Sequence, residues 1–170
     1  MKKVIFLLLT ALLTAGTGVS SLWKPADYSI KFSTQRANGT IGGLKGLIDF
    51  EEGNPAASRF DVTVDLSTLD MGFWLKTRHA KQENFFHADK YPVIRFKSAQ
   101  ITRQGAQYLT HGDLTIKGIT RPVTLPFTFT QTGTEGRFSS TFEVNRKDFN
   151  LERSGVGEVV KVELNIPVKK

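Results

Sequence analysis

The sequence has no cysteine and only two methionines among its 170 residues. Without cysteine there is no thiol nucleophile, no thiolate metal site and no cysteine to carry a lipoprotein-type acyl chain. Disulfides are excluded as well, so the hydrophobic core alone must hold the fold in an oxidising compartment. We therefore expect a soluble product whose stability depends on buried apolar surface.

Histidine is also scarce. His79, His87 and His111 lie in separate segments and lack metal-ligand spacing. His111 and Asp113 share one face of a predicted strand, where we prefer two exposed polar residues to an acid–base pair. The Ser154–Gly157 loop fits neither a nucleophile elbow nor a phosphate-binding loop. The sequence thus predicts no catalytic residue, no metal site and no cofactor.

The net charge of +7 is modest for 170 residues. It aids solubility and weakly favours anionic surfaces, so transient contact with a membrane surface stays open, as does a homodimer. Arg146 and Lys147 beside Phe149 have the composition of a nucleic-acid contact, but the modest charge and the export signal described next argue against a nucleic-acid partner.

The one long apolar run lies at the N-terminus, from Val4 to Leu13. Two lysines precede it and small residues follow it, which is the layout of a secretory signal peptide. The run is shorter than the roughly 20 residues that span a bilayer, so a retained anchor is the lesser interpretation. We expect residues 1–21 to be a signal peptide cleaved after Ser21, with Ser20 and Gly18 as alternatives. Residues 22–170 would then form one domain that is periplasmic or secreted.

The most informative internal stretch is YLTHGDLTIKGITRPVTLPFTF, residues 108–129. A turn at Lys117 and Gly118 places Ile116 opposite Ile119, and the same face then recurs at every second residue. That register pairs Leu114 with Arg121, Gly112 with Val123, Thr110 with Leu125, and Tyr108 with Phe127. One face of this hairpin is mostly apolar, which predicts an antiparallel sheet with one oily side.

Shorter runs of alternating apolar residues predict the other strands. The Gly-rich segment 39–50 reads as a strand with bulges or sharp curvature at Gly42, Gly43 and Gly46. Further strands are expected at Tyr28–Phe32, at Phe60–Leu66, around Ile94 and Phe96, at Phe138–Val144 and at Val160–Val168. About eight strands with short connections favour an all-β, antiparallel β-barrel, because closure removes exposed sheet edges.

Residues 69–87, LDMGFWLKTRHAKQENFFH, interrupt this pattern because they lack the period of two. We predict a short helical insertion, a helix or a set of turns, over Leu75–Phe86. Its simplest role is a plug that caps one end of the barrel. It is also compatible with a mobile lid, in which Arg78, His79 and Lys81 meet the polar head of a ligand and the aromatic pair at positions 85 and 86 touches its tail.

The inner face of the barrel is the candidate ligand-binding surface. A barrel of about eight strands either fills with its own side chains or holds one small ligand, and alternation does not distinguish lining from packed core. The candidate lining residues are Phe32, Phe60, Val62, Val64, Phe85, Phe86, Ile94, Phe96, Leu114, Ile116, Val123, Leu125, Phe127, Phe138, Phe142, Val162 and Leu164.

Three blocks carry a resemblance to a known family. They are HAKQENFFHADKYPVIRFKS (79–98), YLTHGDLTIKGITRPVTL (108–125) and FEVNRKDFNL (142–151). In this order and spacing they resemble the lipid/polyisoprenoid-binding YceI-like family, over Trp23 to Val168. The resemblance implies a lipocalin-like antiparallel β-barrel, exported to the periplasm, that holds one long isoprenoid chain in its lumen.

Two positions depart from the family pattern. Tyr28 stands where the family has the His of an Asp-Pro-Ala-His-Ser run. Lys76 and Thr77 replace an Arg-Asp pair that precedes the helical His. Head-group contacts are therefore not carried over from these positions, whereas the barrel assignment is unaffected.

Three functions fit these observations. The one we favour is a periplasmic binding or carrier protein for an isoprenoid (polyprenyl or quinone-type) lipid, with Arg78, His79, Lys81 and Arg146 near the head group. The second is a stress-response or protein-interaction module whose barrel is packed solid and binds no lipid. The third, an enzyme acting on a bound lipid, would need a polar group near the lumen, for which Arg121 is the main inner-face candidate.

Overall fold

The computed structural model describes residues 21–152 and 157–170. Residues 1–20 of the predicted signal peptide lie outside the described residues, as do residues 154–156 of the predicted Ser154–Gly157 loop. The elements are β1 (Lys24–Pro25), β2 (Ser29–Ser33), β3 (Asn38–Asp49), a 3₁₀ turn (Pro55–Ala57), β4 (Arg59–Asp70), α1 (Trp74–Lys81), β5 (Val93–Gln104), β6 (Gln107–Ile116), β7 (Ile119–Thr132), β8 (Glu135–Asn145), a 3₁₀ turn (Arg146–Phe149) and β9 (Val159–Lys169).

Strands β2 to β9 form a closed ring of eight antiparallel strands. Each strand from β2 to β8 pairs with the next in sequence, and β9 pairs with both β2 and β8. The closing pair of strands is long and runs from Glu135 opposite Lys169 to Asn145 opposite Val159. The short β1 pairs with the end of β9. The predicted all-β barrel is confirmed, and its closure leaves these eight strands without an unpaired edge.

The hairpin of β6 and β7 has the register predicted from sequence, from Ile116 opposite Ile119 to Tyr108 opposite Phe127. Lys117 and Gly118 both have positive φ, at 52° and 74°. A two-residue turn of this type needs positive φ at both positions because only then does its twist match that of the strands. A Cβ on Gly118 would also lie 2.6 Å from a ring carbon of Tyr91. Position 118 therefore favours glycine both for its positive φ and for the lack of space beside Tyr91.

The predicted bulges in the Gly-rich strand are also present. The register between β3 and β4 shifts between Thr40 and Gly42 and again between Gly42 and Lys45. Gly43 adopts a φ of 66°, which favours glycine. The next residue, Leu44, donates its backbone N–H to the Tyr28 hydroxyl at 2.7 Å. The Tyr28 hydroxyl therefore holds this bend in place.

The predicted short helical insertion is present. Helix α1 ends at Lys81, because Gln82 adopts an extended ψ of 165° and its N–H bonds back to the carbonyl of His79 at 3.3 Å. Turns continue from there to Phe85 and Phe86. Within the described residues, no helix is long and apolar enough to cross a membrane.

Strand β5 is longer than the sequence pattern predicts. It covers Val93–Gln104, whereas alternation marked only the part around Ile94 and Phe96. The register against β6 shifts between Ser98 and Gln100. Such a bulge exchanges the two faces of the strand, so the period of two is lost halfway along it.

One end of the barrel is filled by aromatic side chains, which we call the floor cluster. Its rings belong to Trp23, Phe50, Tyr108, Phe127, Phe129 and Phe138. Phe50 is 2% exposed and lies at the centre. Its ring centroid is 5.0 to 5.5 Å from those of four neighbours, all in edge-to-face contact. Burial, reinforced by the nearby Glu52 carboxylate, raises the pKa of the Tyr108 phenol.

Phe50→Ala should lower the free energy of unfolding by about 3 to 5 kcal/mol, because the removed ring leaves a cavity in a rigid cluster. The matched control is Phe73→Ala, whose ring is 49% exposed and whose loss should change stability by about 0.5 kcal/mol or less. Urea unfolding followed by circular dichroism measures both values. Equal losses in the two variants would show that the floor cluster does not stabilise the barrel.

Candidate functional site

The strand pairings place the predicted lining residues on one inner face. Side chains that oppose each other across antiparallel strands point to the same side of the sheet. Val162 pairs with both Phe32 and Phe142. Across the barrel Phe96 pairs with Val62. These pairs place apolar side chains from both sides of the barrel on its inner face.

This inner face is packed to different degrees along the barrel. The buried members of the predicted lining are Leu114, Ile116, Leu125, Phe127 and Phe138. The partly exposed members on the strands are Phe32, Phe60, Val62, Val64, Ile94, Phe96, Val123, Phe142, Val162 and Leu164. Phe127 and Phe138 belong to the floor cluster, so the structure places them in packed core. The partly exposed members retain surface that a ligand can contact.

Phe85 and Phe86 lie at the opposite end of the barrel from the floor cluster, which we call the mouth end. There β4 ends, β5 begins and α1 crosses between them. The two rings meet edge to face, 4.9 Å apart. They pack against two separate groups of core residues, one around Leu66 and the other around Leu114. This contact with two sides of the interior is the arrangement expected of a plug.

The predicted head-group residues on α1 face different surroundings. Arg78 and Lys81 line a surface groove of about 700 Å³ between α1 and the end of β4. The Lys81 ammonium donates to the carbonyl of Ser67 at 2.6 Å. His79 is partly buried and is absent from the residues that line this groove. The helix thus presents Arg78 and Lys81 to this groove.

Arg146 directly follows β8 at the mouth end, where it was predicted, but it is not exposed there. Its side chain is buried, at 4% exposure. The guanidinium donates to the backbone carbonyl of Gly157 at 2.9 Å and to that of Leu151. These hydrogen bonds join the start and the end of the connection between β8 and β9. Arg146 therefore stabilises this connection, and a cation so enclosed does not face an incoming head group.

Thr110 is a polar residue on the inner face whose significance the sequence did not reveal. It is 3% exposed, and its hydroxyl has no hydrogen-bond partner among the described residues. It pairs with Leu125 on β7 and with Ile101 on β5, next to the floor cluster. An unpaired buried hydroxyl destabilises a fold, since it loses its water without gaining a partner.

The other polar candidates lie elsewhere. His111 has its ring nitrogen Nδ1 2.8 Å from the hydroxyl of Thr124 on the exposed face of the hairpin. Arg121 shares the inner register but is exposed, with Nη1 3.5 Å from the carbonyl of Thr120. The described residues contain no group of three or more His, Asp or Glu side chains arranged to hold a metal ion.

Two sets of aromatic residues were absent from the predicted site. Trp23, Phe50, Tyr108 and Phe129 complete the floor cluster. The alternation along each strand carried the signal for Phe129, which continues the inner face of the predicted hairpin. Phe73 and Trp74 at the start of α1 are exposed. They lie outside the alternating pattern of the strands, so their exposure could not be predicted from that pattern.

A comparison with protein families matches residues 23–168 to the YceI-like domain. The chain is 32% identical over 120 residues to a UPF0312 protein of Photorhabdus laumondii, and this match covers 67% of the chain and 62% of that protein.

Two solved structures are similar to the barrel. The crystal structure of BcnA from Burkholderia cenocepacia aligns with a TM-score of 0.78 at 23% identity, over 82% of this chain and 95% of that one. A polyisoprenoid binding domain from Saccharophagus degradans, implicated in plant cell wall breakdown, aligns with a TM-score of 0.66 at 11% identity, over 89% and 99%. At these identities the alignments establish a shared fold.

Thr110→Val should raise the free energy of unfolding by about 1 kcal/mol, since valine has the shape of threonine without its unpaired hydroxyl. The control is Thr130→Val on the exposed face of β7, which should change stability by about 0.5 kcal/mol or less. Urea titration of both variants provides the measurement. A loss of stability at position 110 would mean that the hydroxyl is hydrogen-bonded in solution.

Proposed function

This chain belongs to the YceI-like family, and from that premise we propose that it is an exported, periplasmic barrel that binds an isoprenoid lipid. The ligand would be of the polyprenyl or quinone type, with its chain inside the barrel. The role is binding or carriage, without a catalytic step. The named neighbour that binds a polyisoprenoid shares the fold and supports this choice of ligand class.

The observation that carries the proposal is the uneven packing of the inner face. Aromatic rings close one end, while apolar side chains such as Val64, Ile94 and Val162 stay partly exposed beyond them. These three side chains pack against the core around Leu66 and still keep part of their surface uncovered, whereas a core at full packing density would leave few gaps between them. A closed end, an accessible apolar wall and an aromatic pair at the mouth together suit one long apolar chain.

The affinity would come from the tail. Each methylene transferred from water to an apolar wall contributes roughly 0.8 kcal/mol before ordering costs are subtracted. A chain of several isoprene units would therefore bind without a strong polar anchor. Arg78, His79 and Lys81 remain our candidates for contact with the head group, whereas the burial of Arg146 removes it from that role.

A second candidate function is favoured by the floor cluster itself. If similar packing continued along the whole barrel, the protein would be a stress-response or protein-interaction module with no lipid ligand. The inner-face residues Leu114, Ile116 and Leu125 are already buried. This alternative requires the other inner-face residues to be packed in the same way. The two proposals differ in whether the partly exposed residues enclose a ligand.

Native mass spectrometry of the protein purified gently from its own periplasm tests the ligand and the export together. We expect a stoichiometric adduct that denaturing extraction identifies as an isoprenoid lipid, on a polypeptide that has lost residues 1–21. An unliganded mass that stays unchanged after incubation with polyprenyl lipids and quinones would favour the packed module. A polypeptide that keeps its N-terminus would contradict cleavage of a signal peptide.

Val123→Trp tests whether the interior is hollow. Val123 is partly exposed on the inner face and pairs with Gly112, which contributes no side chain there. The indole should displace the bound lipid and change the free energy of unfolding by less than about 1 kcal/mol. In a packed barrel it would cost about 1 to 3 kcal/mol through overpacking. The outward-facing neighbour Thr124→Trp is the control and should retain the lipid.

A further inference from the structure

Four of the five exposed large hydrophobic residues in the described part of the chain lie at the mouth end. The large hydrophobic residues that are exposed there are Phe73, Trp74, Val93 and Val159. Val93 begins β5 beside α1. Val159 begins β9. Lys161, two residues further on, pairs with Ser33 at the end of β2, so the start of β9 lies beside the turn from β2 to β3. Leu22, the other exposed large hydrophobic residue, lies at the floor end, where it bridges to Asp49 at the end of β3.

Phe73 and Trp74 are the most prominent of these side chains. The Trp74 ring is 66% exposed and the Phe73 ring is 6.1 Å from it. Both line the groove beside α1 together with Leu69 and Thr77. Leaving two adjacent aromatic rings in water forfeits the free energy that their burial would provide. Their exposure therefore points to a surface that covers them.

The charge beside these rings is positive. Helix α1 carries Lys76, Arg78 and Lys81 and has no acidic residue. Lys76 and Arg78 are exposed, and neither forms an ion pair within the described part of the chain. Two carboxylates, Asp70 and Asp89, line the same groove, and Asp70 accepts a hydrogen bond from Gly72 N–H at 2.8 Å. Helix α1 therefore carries a net positive charge beside the two aromatic rings.

We propose that the mouth end docks on the surface of an anionic lipid bilayer. Phe73 and Trp74 would enter the boundary between head groups and acyl chains, where aromatic rings are favoured. Lys76 and Arg78 would lie against lipid phosphates, with their aliphatic stems along the apolar layer. These four residues constitute the docking surface.

The pairing of exposed aromatic rings with unpaired cations favours a membrane over a protein partner. The buried centre of a protein interface is depleted of lysine, because a strongly hydrated ammonium is costly to bury there. At a bilayer surface the same ammonium stays hydrated beside phosphate. The docking surface lies on the helix to which the Phe86 N–H bonds, at the carbonyl of Ala80, so a docked protein would hold its mouth toward the lipids.

The docking surface is inferred from its own residues, and only its biological purpose rests on the proposed function. A barrel that carries a membrane lipid must meet a membrane. Its test uses vesicles without any isoprenoid, and the two proposals can therefore fail separately. A protein that binds vesicles but no isoprenoid would overturn the carrier role and leave the docking surface in place.

Trp74 provides a built-in probe for this test, because the other tryptophan, Trp23, is 3% exposed within the floor cluster. The purified protein is mixed with vesicles of phosphatidylglycerol and phosphatidylethanolamine, or of phosphatidylcholine alone. We expect sedimentation with the anionic vesicles only, a blue shift of the tryptophan emission and quenching by brominated lipid. Raising the salt to about 1 M, where the screening length is about 3 Å, should release the protein.

Two variants and two controls complete the experiment. Phe73→Ser with Trp74→Ser should abolish sedimentation, and Lys76→Gln with Arg78→Gln should lower it about fivefold per charge removed. Leu22→Ser and Lys24→Gln, both exposed at the floor end, should bind as the unaltered protein does, and the thermal unfolding of every variant is recorded. Equal binding to neutral vesicles, no binding to either kind, or full binding by the double variants would overturn the proposal.

Discussion

The pairing of β8 with β9 is the constraint on which the rest of the structure depends. It turns a row of strands into a ring and so divides all their residues into inside and outside. Once the ring is closed, a slip of one residue in any strand would bring polar side chains inward and apolar ones into water. The apolar alternation along the strands is thus a requirement of closure. The Gly43 bend with its Tyr28 hydrogen bond adapts one strand to that curvature.

The sequence was most informative where its local pattern and the closed ring demand the same arrangement. The register of the long hairpin could be predicted residue by residue, because a two-residue turn leaves one alignment for Ile116 and Ile119. The full length of β5 could not, since its bulge exchanges the two faces halfway along the strand.

Nor could alternation separate Phe127, which is packed core, from Val162, which is partly exposed. That difference is set by rings such as Phe50, contributed by other segments of the chain. Arg146 shows the same limit, because a motif gives the position of a cation but not the carbonyls that surround it.

The two ends of the barrel have opposite characters. At the floor, the Phe129 ring of β7 meets the rings of Trp23 and Phe50 edge to face, and a hydrogen bond from the Trp23 indole to the carbonyl of Phe50 ties the N-terminal segment to this cluster. At the mouth, a short helix and the turns after it cross the opening, and Phe85 and Phe86 pack against two separate core groups. The floor is thus closed by rings that contact one another, and the mouth by a separate segment laid across it.

The meeting of the first and last strands also sets the order in which the molecule can assemble. Lys24 pairs with Lys169, and Trp23 shares the floor cluster with Val168. Neither the ring nor its floor can form until the final residues of the chain are available, and contacts between such distant segments make folding slow. A chain that still lacks β9 has no strand to join β2 to β8, so its ring stays open and its inner face stays in contact with water.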